Sequence, residues 1–138
     1  MSTATTAKKN RILSPKVGEP AEGMWSNCLR IDDQIFVSGL TSRGLDGKTI
    51  EGENEYEQSQ VIFTKIKNLV EAAGAQMDDV VKMTIYVTNM AENHHVWKAR
   101  KEFFTGDFPA CTLVEVSALA NPQILVEIEA IAIAGVSS

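Results

Sequence analysis

Three kinds of side chain in this sequence have the chemistry to act on a ligand: two thiols, two adjacent imidazoles and a scatter of carboxylates. Cys28 and Cys111 have neither CxxC spacing nor a histidine pattern beside them, so no zinc site is expected. A nucleophilic cysteine needs a cation, a helix start or a histidine to depress its pKa. The residues next to Cys111 in sequence supply none, and it reads as a small apolar group filling a pocket. His94 and His95 are neighbours, so on a helix their side chains should diverge by about a hundred degrees. A solvated pair in a first turn is the expectation, and no metal ligand is assigned.

These groups must be carried by regular elements, and the hydrophobic pattern marks where those lie. Trp25 to Ile31 and Gln34 to Ser38 read as two short strands. Asp32 and Asp33 provide the turn between them, making a hairpin. Leu40 to Gly52 reads as a glycine-containing loop. Asn54 is placed to cap a helix running to about Ala73, whose stripe is Ile62, Ile66, Leu69, Val70 and Ala73, with Gly74 at the C-terminal cap. Val81, Met83, Ile85 and Val87 alternate with polar neighbours, which predicts a strand buried on one face. Asn93 to Phe104 predicts a second helix with Val96, Ala99 and Phe103 inward. Ala110 to Ser117 and Ile124 to Ile133 complete the order β-β-α-β-α-β-β, an α+β sheet with both helices on one face. The last strand carries apolar residues at both parities, Leu125, Ile131 and Ile133 against Ile124, Val126 and Ile128. A sheet apolar on two faces with only two helices to cover it predicts oligomerisation.

Composition narrows the function classes. The chain has 138 residues, 44% of them hydrophobic, enough for one domain that needs no metal or disulfide to fold. Residues 1–10 are polar and small and read as a flexible tail, with 11–138 as the single domain. No apolar run reaches the ~18 residues of a membrane span. The opening lacks the apolar core of a signal peptide, so a cytoplasmic location with free thiols is expected. Net charge is −5, with thirteen Lys and Arg scattered among eighteen carboxylates, which argues against nucleic acid as the main partner.

Several segments together resemble one family. FVSG (Phe36 to Gly39), DDVVKMTIYVTNM (Asp78 to Met90), KEFF (Lys101 to Phe104), FPA (Phe108 to Ala110), VEV (Val114 to Val116) and VEIEAIA (Val126 to Ala132) follow in the order found in YjgF/RidA proteins. The resemblance implies a chorismate-mutase-like α+β fold assembled as a homotrimer, with small-molecule clefts at subunit interfaces and no cofactor. It implies an activity class as well, the hydrolysis of reactive enamines and imines to a carbonyl product and ammonia. Some members of the family have no established deaminase activity.

Carried over residue by residue, the resemblance makes Glu127 the carboxylate that holds the attacking water. It places Trp25, Ser38, Gly39, Trp97, Arg100 and Cys111 against the substrate. The arginine that clamps the substrate carboxylate in active members corresponds to Cys111, while Trp97 and Arg100 stand where an Asn and a Tyr are usual. Losing a buried charge-assisted pair costs about 2–5 kcal/mol, so turnover of 2-aminoacrylate should be poor. Arg30, Arg43 and Arg100 are the arginines that could replace the clamp, Arg100 foremost because its helix borders the cleft in the family. Two indoles favour a larger or aromatic ligand over a three-carbon acid. A non-catalytic trimeric binder is the alternative.

Overall fold

The computed structural model describes residues 7–137. Its elements are β1 (Asn10–Arg11), β2 (Cys28–Ile31), β3 (Gln34–Leu40), α1 (Glu55–Ala72), β4 (Val80–Val87), α2 (Asn93–Lys101), β5 (Ala110–Glu115) and β6 (Val126–Ile133). The six strands form one sheet in the order β1-β2-β3-β6-β4-β5. Only β4 and β5 run parallel; every other neighbour pair is antiparallel. The closing strand therefore sits mid-sheet, zipping the opening hairpin to the β4–α2–β5 unit.

Local chemistry accounts for the element ends. Asn54 accepts a hydrogen bond from the Glu57 amide and starts α1. Gly74, at φ +88°, ends it in a conformation that other residues adopt at a cost. Asp32 adopts φ +51° in the tight turn between β2 and β3. The predicted stripe of α1 is buried, and Phe63 joins it. Each such side chain contributes roughly 1.5–3 kcal/mol when removed from water. Both helices cover one sheet face, the face of Ile35, Val37, Met83, Ile85, Val87, Val126 and Ile128.

Four expectations change. Val80 rather than Val81 faces the core, because the β4–β6 register slips between Val80 and Lys82. The second helix stops at Lys101 instead of Phe104; Phe103 and Phe104 pack beyond it against the Phe63 ring, with centroids 5.4 and 6.0 Å away. The uncovered face of β6 carries Glu127 and Glu129 in its first half and Ile131 and Ile133 in its second, so it is not apolar throughout. Asn10, the last residue of the expected tail, pairs with Arg30 in β1 beside Arg11 with Leu29, while residues 1–6 lie outside the described residues. No helix among the described residues is long and apolar enough to cross a membrane.

Candidate functional site

The seven candidate residues fall into two groups. The first is built on β3, β6 and the segment entering β2. Glu127 lies on the uncovered face, directly across from Tyr86. Its carboxylate rests against Gly39, where any Cβ would occupy the carboxylate's own position. Only glycine permits this approach. Ser38, one residue earlier, donates its hydroxyl to the Ser26 carbonyl at 2.5 Å, and its amide reaches Asn27 O at 2.9 Å. Ser38 thereby ties the Trp25–Asn27 segment to β3. Trp25 is 53% exposed, and its indole N–H donates to Asn27 Oδ1 at 3.2 Å. Asn27 is buried and donates in turn to Gly18 O at 2.8 Å. Trp25 and Gly39 share the wall of a cavity of about 460 Å³.

Glu127 is half-buried, and no donor reaches its carboxylate among the described residues. Burial, and then the charge of Glu129, push its pKa above the usual carboxylate range. Glu129 is engaged, accepting a hydrogen bond from the Tyr86 hydroxyl. The two carboxylates on β6 thus differ in kind: one is tied down, the other is left to a ligand or water.

The second group is built on α2 and β5. Cys111 pairs in register with Met83, which places it on the helix-covered face. There Arg100 directs Nη1 to its sulfur at 3.5 Å. The cation that the sequence around Cys111 lacks is therefore supplied across space by α2. Arg100 is half-buried and makes no ion pair with any described residue. Trp97, 44% exposed, lies three residues before Arg100 on the same side of α2.

Within one chain the two groups do not meet. Cys111 shares the face of Met83 and Glu127 the face of Tyr86, and these are opposite sides of the sheet. The other two arginine candidates divide, Arg30 standing apart from both groups and Arg43 lying beside the first. Arg30 caps the C-terminus of α1, donating to Ala73 O at 2.5 Å and Asp32 O at 2.7 Å. Arg43 lines the Trp25 cavity.

His94 and His95 do not diverge as expected. Their ring centroids are 4.1 Å apart, because His95 turns back to Glu92 with Nε2–Oε2 2.9 Å. The ligand atoms of Glu92, His94 and His95 lie within 4.8 Å of one another, half-exposed or exposed at the start of α2.

Three neighbours of the candidate residues escaped the sequence reading. Lys65 shares the Trp25 cavity; its position three residues after Ile62 and four before Leu69 marks it as lying beside the buried stripe, a usable signal. The Asn27 bridge and the Tyr86–Glu129 contact depend on strand register, which the sequence does not reveal.

The Trp25–Ser38–Gly39–Glu127 arrangement sits in a chain whose residues 17–134 match the model of the Endoribonuclease L-PSP family. The chain belongs to that family. It is the YjgF/RidA family of the resemblance. A 2-iminobutanoate/2-iminopropanoate deaminase of Dermatophagoides farinae is 31% identical over 123 residues, covering 89% of this chain and 95% of that relative. A RutC family protein of Pyrococcus abyssi is 33% identical, covering 90% and 96%. Among solved structures, a Pseudomonas aeruginosa protein of unknown function is 34% identical over 94% of each chain, with a TM-score of 0.82. RidA from an Antarctic Psychrobacter is 26% identical over 90% of this chain and 98% of its own, with a TM-score of 0.81. The α+β sheet with its two helices is the fold of this family, and the family includes imine deaminases.

Proposed function

We propose that the protein hydrolyses imines of 2-oxoacids, releasing ammonia, in a cleft formed between two copies of the chain. The observation that carries this reading is the Glu127 carboxylate: half-buried, without a donor, seated on Gly39 and raised in pKa. Such a group can hold a water against the C=N carbon and take its proton, then pass a proton to the departing amine, a contribution of about 10²–10⁴-fold. Glu127 is the catalytic residue; Trp25, Ser38 and Gly39 form its wall. Trp97, Arg100 and Cys111 of a neighbouring copy face them, since one chain cannot bring both groups together. A homotrimer closes three such clefts by symmetry. The names of the deaminase relatives support the reaction class. Nuclease action, which the family's description names, is not proposed: a net charge of −5 disfavours a polyanionic substrate.

A second reading, a ligand binder without turnover, draws on Cys111, which leaves β5 without a cation at the position aligned with the family's arginine. One assay separates the two. Ammonia and 2-oxoacid release are followed from 2-aminoacrylate and from larger 2-imino acids generated in situ, for the native protein and Cys111→Arg. Hydrolysis predicts native turnover of the larger imines and little of the three-carbon one. Ammonia release by Cys111→Arg alone would favour the binder.

A further inference from the structure

Position 111 carries no cation, yet two cations stand at the cavity whose wall Trp25 and Gly39 share. Lys65 extends from α1 beneath the loop after β3 and donates to Thr41 O at 2.7 Å and Arg43 O at 3.0 Å. Those carbonyls fix the ammonium at the wall of the Trp25 cavity and leave it a third N–H. The Arg43 guanidinium, on the same wall, donates among the described residues only to Gly47 O at 3.3 Å and keeps the rest of its fork. Neither cation forms an ion pair with a described residue. The acidic residues of the wall are committed elsewhere. Glu19 pairs with Arg11 at 2.7 Å, and Asp46 accepts from the Lys48 and Thr49 amides at 2.9 Å each. The third N–H of Lys65 and most of the Arg43 fork are thus donors that this wall leaves without a partner among the described residues.

We propose that this cavity is an anion subsite in which Lys65 and Arg43 hold the carboxylate of a 2-imino acid, or of its 2-oxoacid product. The inference rests on the hydrolase reading and deepens it by naming the anchor. In a 2-imino acid the carboxylate carbon is bonded directly to the C=N carbon, so anchor and water-holding carboxylate must lie within one small ligand of each other. Gly39 is the link between the two, since it lines the cavity and touches Glu127. Arg100 lies on the opposite side of the sheet within the chain. Trp25 gives the substrate's side chain an apolar wall, which suits larger 2-imino acids. Burial is the main reason that Lys65 titrates at about 8, with Glu51 opposing and Arg43 adding to it. Lys16 and Glu51 also face it across the adjoining hollow. The subsite accordingly loses charge as pH rises through about 8.

Calorimetric titration with pyruvate and with phenylpyruvate at pH 7 tests the anchor directly. Lys65→Met should weaken pyruvate binding about tenfold or more, and Lys65→Arg should retain most of it. Because Lys65 also holds the loop, Arg43→Met is the companion variant; it leaves that clamp in place and should lose affinity several-fold. Raising the pH to 9.5 should weaken native binding and spare Lys65→Arg. Native affinity in both Lys65→Met and Arg43→Met overturns the proposal, as does a native protein that binds neither acid. So does Arg100→Met if it alone abolishes binding. Ammonia release, assayed in parallel, keeps the two claims apart. Lys65-dependent binding without ammonia refutes hydrolysis alone; ammonia with Lys65-independent binding refutes the anchor alone.

Discussion

The two groups of candidate residues are built on opposite physical terms. Around Trp25, Gly39 and Glu127 the wall is tied together while the carboxylate is left open: Ser38 binds Ser26, Asn27 binds the indole, and the missing side chain of Gly39 admits the carboxylate. Around Trp97, Arg100 and Cys111 the side-chain polar contacts among the described residues are weak, a guanidinium on a thiol and that thiol on the Thr112 carbonyl. A preorganised wall can direct a water with little reorganisation; a long arginine against a soft sulfur adapts to what faces it. On the proposed function, the first region carries the chemistry and the second the choice of substrate.

That division can be broken in several places. Glu127→Gln should cost the most, about 10²–10⁴-fold in kcat with KM little changed; an unaltered kcat would move the chemistry out of the first region. Gly39→Ala forces the carboxylate aside, and a misplacement of this kind costs on the order of 10²-fold in rate. A native rate there would mean that the close approach is incidental. The pH profile follows from the signs of two shifts. Glu127 acts ionised and its pKa is raised, so activity is lost as pH falls through that raised value. Lys65 binds charged, so kcat/KM falls again above about pH 8, and Lys65→Arg should flatten that upper limb. A profile flat through pH 9.5 in the native protein would detach Lys65 from the site. Smallest is Asn27→Ala, which frees the Trp25 indole and also removes the Asn27 bonds to Gly18 O and Glu19, each worth about 1 kcal/mol of stability; KM for larger imines should rise a few-fold while kcat holds.

What the sequence made legible was what local pattern determines. Asn54 and Gly74 bound α1, Asp32 turns the hairpin, and the stripe from Ile62 to Ala73 is core, each because neighbours a few residues away decide the outcome. Long-range register decided the rest. The slip at Val80/Lys82 reversed the expected facing of Val81, and α2 ended early because Phe103 and Phe104 found Phe63. In the site, residue identities were readable from segment resemblance, but their partition between two sheet faces was not. Arg100 is an instance: named from its helix, it meets Cys111 only because β5 runs parallel beside β4. Lys65 was hidden by being charged, although its spacing put it beside the stripe.

The central claim is that a working cleft takes one region from each of two chains, and co-assembly tests it most directly. Glu127→Gln and Arg100→Glu, each inactive alone, are unfolded together, refolded as a one-to-one mixture and assayed for ammonia release from an aromatic 2-imino acid. The account predicts recovery of about a quarter of native activity, the fraction of interfaces that pair two intact regions in a randomly mixed symmetric oligomer. A mixture as inactive as its components, or an Arg100→Glu protein active by itself, would contradict it.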